Sequence, residues 1–293
     1  MSYAKIHPNW DRPPEYITEG FSIEITAKDT AGLKEAADGL PPGTPVAVTF
    51  LPGETLDARL AAAKQVRELG FEPMPHFSAR RIKSAAELTS MVERMVAEAG
   101  VKRCFAIAGD PPQPEGPYSE SSMLIETGIF EKNGITAIGV AGHPQGHPNM
   151  SEDECFAVLE RKCAMIHDRG MKPLIVTQFG FDPDAFLNWL VALRKRVDAP
   201  VRIGVPGPTS IKMLVKFAAR CGVEASASVM SKYGISLANL LGSAGPDKMV
   251  DAFASGFGSE HGRVRLHFYP FGGLGKTAGW IADYNRKHKI GQA

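Results

Sequence analysis

The chain has 293 residues, a length beyond most single domains but ordinary for one α/β barrel. Its hydrophobic content of 44% and charged content of 22% are typical of a globular protein with a large core. The net charge is +1 and no basic run stands out, which argues against nucleic acid and anionic membranes as partners. No apolar stretch reaches the roughly 18 residues of a membrane helix, and the N-terminus has no apolar signal core, so we expect a cytoplasmic protein.

Strand-like apolar runs alternate with helical patterns along the chain. Residues 1–19, rich in Pro and aromatics, are predicted to form an irregular lead-in. The predicted strands are 21–26, 45–50, 72–77, 102–108, an apolar run from Ile138, 172–178, 201–206 and 263–269. The predicted helices are 29–39 with an Asp29 cap, 54–69, 84–99, 119–131, 151–169, 182–197, 210–221 and 274–288, with extra helical material within 223–260.

This alternation predicts the fold. Eight apolar strands, each followed by a helix, favour a parallel sheet closed into a (β/α)8 barrel. An open doubly wound sheet is the alternative, but no Gly-x-Gly-x-x-Gly follows the first strand. Nothing in the composition divides residues 20–293, so we expect one barrel domain.

The loop after the fifth strand carries two histidines, His143 and His147. Ser151 and Glu154 follow with the spacing of a capping box, which predicts a helix start there. The His-x-x-x-His spacing fits a metal site only on a helix, and Pro144 argues against one. We therefore expect these histidines to bind a ligand or the loop itself rather than a metal. The four cysteines contain no Cys-x-x-Cys pair and are predicted to be buried thiols.

Polar or sharply bent positions end nearly every predicted strand. In a (β/α)8 barrel these ends form the active site. Glu24 interrupts Ile23 and Ile25 and therefore points to the opposite side from both. If that side is the interior, the carboxylate is costly to bury unless it is used; an outward-facing Glu is the alternative. The strand-end positions are Glu24, Thr49, His76, Asp110, His143 with His147, Gln178, Pro206-Gly207 and Tyr269.

Five short pieces of the chain have a distinctive order and spacing. They are Gly109-Asp110-Pro111, residues 141–148, Thr177-Gln178-Phe179, Val205-Pro206-Gly207 and His267-Phe268-Tyr269. With them the chain resembles the catalytic domain of methylenetetrahydrofolate reductase, a flavin-dependent (β/α)8 barrel, from Glu24 to Tyr269. The resemblance is to bacterial-type members, which consist of the catalytic barrel only.

The resemblance implies a role for each matched position. Glu24 stands where the family has the glutamate that protonates the bridging nitrogen of the folate. Asp110 matches an aspartate between flavin and pterin, and Gln178 a glutamine beside the folate. Phe179, Phe181 and Tyr269 are expected to complete the substrate site. The positions expected to line FAD and its phosphates are Thr49, His76, Gly109, Asp110, Tyr118, Ala141, His143, His147, Arg161 and Lys162.

The chain departs from the family pattern at four places. In the first strand, residues 25–28 (Ile-Thr-Ala-Lys) stand where Phe-Phe-Pro-Pro usually follows the glutamate. Ala108 stands where an arginine usually precedes Gly109-Asp110, which removes a cationic contact to the cofactor. His143 replaces a tyrosine that usually lies near the flavin. The segment after Tyr269 replaces a Thr-Leu-Asn-Arg continuation, which removes an arginine available to the folate.

The resemblance implies hydride transfer between NADH or NADPH and bound FAD, and between flavin and folate. The net reaction interconverts 5,10-methylene- and 5-methyltetrahydrofolate, with Glu24 as general acid. The expected partners are folate and nicotinamide small molecules; homo-oligomer formation is left open. Three alternatives remain: a flavin-free NADH–folate reductase on the same barrel, a metal-dependent lyase or hydrolase using His76, Asp110 and His147, and a non-enzymatic folate- or flavin-binding protein.

Overall fold

A computed structural model describes residues 10, 12–223, 230 and 242–288. Eight strands of this part of the chain form a closed barrel in the order β1-β2-β3-β4-β5-β6-β7-β10, with β10 paired to β1. All eight neighbouring pairs are parallel. The predicted (β/α)8 barrel is therefore confirmed.

The strands and helices follow one another in the predicted order. The strands are β1 Ser22–Ile25, β2 Pro45–Val48, β3 Glu72–Ser78, β4 Arg103–Ile107, β5 Ala137–Gly142, β6 Lys172–Phe179, β7 Val201–Pro206, β8 Thr209–Ser210, β9 Ser243–Ala244 and β10 Val264–Tyr269. The α-helices are α1 Thr30–Ala36, α2 Leu56–Glu68, α3 Ala85–Ala99, α4 Ser121–Glu126, α5 Ile129–Lys132, α6 Glu152–Asp168, α7 Pro183–Arg194, α8 Ile211–Cys221, α9 Asp247–Gly256 and α10 Leu274–Lys287. Among the described helices none is long and apolar enough to cross a membrane.

Side-chain caps begin five of the ten described α-helices, and two of the predictions about helices are wrong. The Ser151 hydroxyl accepts the Glu154 N–H and Glu154 reaches back to Ser151, so the predicted capping box is confirmed. The predicted Asp29 cap is wrong, because the Asp29 carboxylate instead accepts the N–H and hydroxyl of Thr26. The single helix predicted over 119–131 is also wrong: it is divided into α4 and α5 at Gly128, whose φ of 72° is left-handed.

The core has two layers. The larger fills the space between strands and helices. The smaller lies inside the barrel, where Ala47, Met74, Phe105 and Val176 pack together. Gly139 makes room for this inner layer, since a Cβ there would lie 2.6 Å from Cδ2 of Phe105.

Strand β6 contains a bulge at its carboxyl end. Val176 pairs with Arg202, but the next registered pair is Phe179 with Gly204. The extra residue in β6 brings Gly204 close to the β6 backbone, where a Cβ would lie 2.7 Å from the Thr177 carbonyl oxygen. The bulge thus re-aims the residues that follow it towards the barrel mouth.

The opposite end of the barrel is closed by the lead-in. The described lead-in residues, 10 and 12–19, form turns and bends; 1–9 and 11 lie outside the described part. The guanidinium carbons of Arg202 and Arg265 each lie 5.3 Å from the ring centroid of Trp10. Arg202 also donates to the Gly20 carbonyl at 3.0 Å. This end is therefore packed with structural contacts.

Additional structure lies between β7 and β10. Strands β8 and β9 form an antiparallel pair that the sequence patterns missed, because each has only two residues. Of the helical material predicted within 223–260, α9 is present, whereas residues 224–229 and 231–241 lie outside the described part.

Candidate active site

Glu24 lies inside the barrel at its carboxyl-terminal mouth. Its neighbours Ile23 and Ile25 are 0% and 1% exposed in the outer core, so Glu24 alternates to the interior, beside Ala47 of the inner layer. The outward-facing alternative is therefore excluded. The carboxylate lies 3.5 Å from Nε2 of His76 and 3.9 Å from Nε2 of His267. Strands β3 and β10, on either side of β1–β2, thus supply two imidazoles to one carboxylate.

His76 is a neutral imidazole at physiological pH. Burial lowers its pKa to about 4, and the partly opposing attraction of Glu24 does not compensate. Its backbone is held by the buried Arg59, which donates to the carbonyls of both Thr49 and His76. The neighbouring Thr49 hydroxyl is buried and has no hydrogen-bond partner among the described residues. A buried hydroxyl in this state is suited to contact a ligand.

His267 is the site residue whose role the sequence analysis missed. It is 1% exposed, and its Nδ1 lies 2.7 Å from the Ser22 hydroxyl on the neighbouring strand. Ser22 and His267 are direct register partners in the β1–β10 pair. The available signal was spacing: His267 precedes Tyr269 by two residues on β10, so both point to the same side of the strand.

An aromatic cluster covers the mouth beside Glu24. Phe179 lies 5.6 Å from Tyr269 and 4.9 Å from Phe271, ring centroid to centroid, and Phe271 stacks on Phe217 of α8 at 4.1 Å. Phe181 is 2% exposed and packs in the same cluster. The cluster therefore combines the predicted substrate residues Phe179, Phe181 and Tyr269 with two aromatics that were not predicted.

Gln178 and Tyr269 have local hydrogen bonds in this arrangement. The Gln178 side-chain oxygen accepts the N–H of Phe179 at 3.1 Å. The Tyr269 hydroxyl donates to the Thr177 carbonyl at 2.9 Å, and burial raises the pKa of Tyr269 well above its ordinary value. Tyr269 is thus a neutral donor, and the amide nitrogen of Gln178 is left for other contacts.

Asp110 lies at the rim of the mouth. Its carboxylate is 59% exposed and forms an ion pair with Arg81, which follows β3. Gly109 before it has a φ of 95°, and a Cβ there would overlap the Ser78 hydroxyl at 2.1 Å. Glycine is therefore required where the β4 loop crosses the end of β3. Asp110 is brought to Arg81 rather than into the pair of imidazoles around Glu24.

The β5 loop and α6 form a cationic rim beside Asp110. His143 and His147 lie edge to face at 4.8 Å, and burial lowers the pKa of His143 to about 4. Nδ1 of His147 accepts the Asn149 N–H at 3.2 Å, so the neutral ring carries its proton on Nε2. Burial and the nearby Lys162 also lower the pKa of His147. The rim thus presents neutral imidazoles near a lysine.

Lys162 and Arg161 are neighbours in the sequence but differ in burial and in ion pairing. Burial lowers the pKa of Lys162, and no carboxylate lies within ion-pair distance of it in the described part of the chain. Arg161 is exposed and pairs with Glu120 at 3.2 Å. Of the other predicted cofactor positions, Tyr118 is 7% exposed in the outer core, and Ala141 packs against the inner layer.

The side chains that the alternative metal-dependent lyase or hydrolase would use as ligands do not converge. Asp110 pairs with Arg81, whereas His76 faces Glu24. Within the described ranges, no group of three His, Cys, Asp or Glu side chains has the arrangement of a metal site. All four cysteines are free thiols. Cys104 and Cys163 are buried, but Cys155 is half-buried and Cys221 is exposed, so the prediction of buried thiols is wrong for these two.

The geometry defines a class of protein: a (β/α)8 barrel with a carboxylate between two imidazoles at its carboxyl-terminal mouth and a cationic rim beside it. A family model described as "Methylenetetrahydrofolate reductase" matches residues 26–269. The chain belongs to this family. The matched range begins two residues after Glu24, so the position of Glu24 rests on the barrel geometry.

Named relatives agree with this assignment. "Methylenetetrahydrofolate reductase (NADH) 1" of Arabidopsis thaliana is 25% identical over 239 residues, 74% of this chain and 39% of the relative. "Methylenetetrahydrofolate reductase 2" of Saccharomyces cerevisiae is 30% identical over 129 residues, 41% of this chain and 21% of the relative. The chain thus spans well under half the length of these relatives.

Solved structures share the fold. A Clostridium thermocellum protein described as binding two copies of 5-methyl-5,6,7,8-tetrahydrofolic acid has a TM-score of 0.60 at 12% identity, covering 90% of this chain and 96% of that one. Dihydropteroate synthase from Thermus thermophilus has a TM-score of 0.50 at 14% identity, covering 91% of this chain and 92% of that one. At these identities the similarity concerns the barrel architecture.

Proposed function

We propose that this protein is a methylenetetrahydrofolate reductase that interconverts 5,10-methylene- and 5-methyltetrahydrofolate with NADH or NADPH. Family membership supports the substrate class. The single observation that carries the proposal within the structure is Glu24, a carboxylate inside the barrel 3.5 Å from the neutral imidazole of His76. A proton donor is required where the folate ring opens, and a carboxyl in a largely enclosed site can supply it.

Glu24 is held in place by the strand rather than by a loop. Its backbone pairs with Ala47 in the barrel, and its neighbours in the strand are buried. In the proposed reaction Glu24 donates its proton to the bridging nitrogen of the folate. The aromatic cluster and the Gln178 amide would bind the pterin, because a pterin presents flat apolar faces and an edge of donors and acceptors.

The residues around the rim fit FAD as the bound cofactor. The Thr49 and Ser78 hydroxyls are buried and have no hydrogen-bond partner in the part of the chain that the structure describes. Gly109, which has no Cβ, lies directly against the Ser78 hydroxyl. Lys162 and His147 Nε2 would hold the phosphates, since both are donors suited to an anion. When bound, FAD would accept a hydride from the nicotinamide and pass it to the folate carbon.

The test is made on the purified full chain. We expect a yellow protein, or a colourless one that turns active on addition of FAD, that oxidises NADH or NADPH only when methylenetetrahydrofolate or an artificial electron acceptor is present. The products should be NAD(P)⁺ and 5-methyltetrahydrofolate, identified by mass spectrometry. If the flavin-free protein reduces folate with NADH at full rate and FAD has no effect, the hydride passes directly from the nicotinamide to the folate. The flavin part of the proposal would then be wrong. A protein with no folate turnover in any of these conditions would refute the proposal.

A further inference from the structure

Arg80 lies where the turn after β3 meets the loop after β4. It belongs to the short 3-10 turn Ala79–Arg81 that follows β3. The Arg80 N–H donates to the Ala108 carbonyl at 2.9 Å, and the Arg80 carbonyl accepts the Glu115 N–H at 2.7 Å. Both backbone polar groups of Arg80 are therefore bonded to the β4 loop, which fixes the point from which its side chain extends.

The guanidinium of Arg80 is oriented by the same loop but keeps free donors. Its Nε donates to the Ser119 carbonyl at 2.9 Å, and its Nη1 donates to the Pro111 carbonyl at 3.3 Å. A guanidinium has five N–H donors, so these two bonds leave others for a further acceptor. Because both acceptors are neutral carbonyls, the positive charge of this half-buried side chain is not compensated by them.

The acidic side chains near Arg80 face other cations. Within 4.0 Å they pair as follows: Asp110 and Glu115 with Arg81, and Glu120 with Arg161. In the described ranges this leaves Arg80 and Lys162 without a carboxylate at ion-pair distance. Glu120 still reaches Lys162 at longer range, where it partly opposes the lowering of the lysine pKa by burial.

Arg80 and Lys162 approach the same imidazole from different elements. The positive charge of each contributes to lowering the pKa of His147. His147 itself offers an Nε2 proton, since its Nδ1 accepts the Asn149 N–H. The turn after β3, the β5 loop and α6 thus bring three donors to one part of the rim. Like charges gathered in this way repel one another, and a ligand with several negative charges relieves the repulsion.

We propose that Arg80 binds the pyrophosphate of the dinucleotide cofactor, together with Lys162 and His147. This inference deepens the proposed function, in which that cofactor is FAD. A planar guanidinium is suited to the contact, because it can donate two parallel hydrogen bonds to one phosphate. The backbone bond between Arg80 and Ala108 also places this cation beside the position where the family pattern has an arginine and this chain has none.

Titration of the full-length apoprotein with FAD measures the contact. Arg80→Gln should weaken FAD binding about 10-fold, because a charge-assisted contact is lost. Riboflavin has no phosphate, so its affinity should be the same for the native protein and the variant. Arg80→Lys should retain most of the FAD affinity, since it keeps the charge but not the two carbonyl bonds. Equal losses in both variants, for FAD and riboflavin alike, would show a structural role and overturn the inference.

Moving the arginine tests where the phosphate lies. Ala108→Arg should add little FAD affinity to the native protein, in which Arg80 already makes the contact. In the Arg80→Gln background the same substitution should restore most of the affinity, because the two side chains serve one phosphate. Equal gains in the two backgrounds would mean independent sites and would overturn the shared contact.

The matched control is Arg94→Gln. It removes the same charge from α3, where Arg94 pairs with Asp57 at 2.7 Å and Glu98 at 2.8 Å, and it should leave FAD binding unchanged. If the native protein and Arg80→Gln bind FAD equally tightly, the inference fails and the proposed function stands. A native protein that binds NADH but no FAD would remove the flavin from the proposed function. In that case weaker NADH binding by Arg80→Gln would assign the phosphate contact to NADH, and unchanged NADH binding would overturn it.

Discussion

The two halves of the candidate site are built differently. Around Glu24 the side chains come from barrel strands β1, β3 and β10, and His76 and His267 are 6% and 1% exposed. Around Asp110 and Lys162 they come from loops and a helix surface, and Asp110 is 59% exposed. Strand register places both imidazoles of the first set within 4 Å of the Glu24 carboxylate. In the second set the Asp110 carboxylate is itself exposed, so a ligand can reach its ion pair with Arg81.

The largest effect is expected at the carboxylate itself. Glu24→Gln should lower folate turnover by about 100-fold or more, because it removes the proton donor but keeps the shape of the side chain. The half-reaction of NAD(P)H with an artificial acceptor should be retained. Stopped-flow measurement of both half-reactions checks this, with the exposed Glu68→Gln as control. Near-normal folate turnover would mean that Glu24 is not the acid.

Substitution of one glycine in each half tests whether an added Cβ lowers the free energy of unfolding more in the strand half than in the loop half. Gly139→Ala should lower the free energy of unfolding by about 1–3 kcal/mol, because its Cβ would lie 2.6 Å from Phe105 in the inner layer. Gly146→Ala should cost about 1 kcal/mol, since its φ of 88° strains an L-residue but the space around it is open. Denaturant titration measures both. If Gly139→Ala lowers the free energy of unfolding no more than Gly146→Ala does, the side chains inside the barrel can move to accommodate the added Cβ.

Lys162 and Arg161 are neighbours in the sequence, and we expect their substitutions to affect FAD binding differently. Lys162→Gln should weaken FAD binding about 10-fold, because this lysine is partly buried and no described carboxylate lies within ion-pair distance of it. Arg161→Gln should change it less, since Arg161 is exposed and already pairs with Glu120. Fluorescence titration of apoprotein with FAD gives both constants. A larger effect of Arg161 would reverse the assignment of the phosphate contact.

A separate effect is expected on stability at low pH, and both halves contribute to it. His76 and His143 have pKa values of about 4 in the folded chain against 6.5 for an ordinary imidazole. The unfolded chain therefore binds more protons between these values, and the free energy of unfolding falls as pH drops from about 6.5 to about 4. His143→Gln should make this fall shallower, by up to about 1.4 kcal/mol per pH unit. Thermal unfolding across that range, with the exposed His167→Gln as control, would contradict the claim if the slopes matched.

Local sequence rules succeeded where the partner lies within a few residues. The Ser151–Glu154 capping box was predicted and is present, because both groups belong to the same helical turn. The Asp29 cap was predicted by the same rule and is absent. The Asp29 carboxylate could accept a hydrogen bond either from the first turn of the helix or from Thr26, three residues earlier, and it accepts from Thr26. The presence of an Asp at this position does not show which of the two donors it takes.

Sequence by itself determined the fold class and the placement of polar residues at strand ends. Alternating apolar runs and helices leave few ways to bury a core, and period-two alternation was sufficient to place Glu24 opposite its isoleucines. It did not predict the pairing of Asp110 with Arg81 or the break in the fourth predicted helix at Gly128.

Only the tertiary structure decided which polar side chains meet. Ser22 and His267 are separated by 245 residues and become neighbours because the last barrel strand closes on the first. Burial of the two imidazoles beside Glu24 is a product of the same closure. Because strand periodicity specifies the face of a residue but not its distance from other strands, the contacts that give this site its chemistry exist only once the barrel is closed.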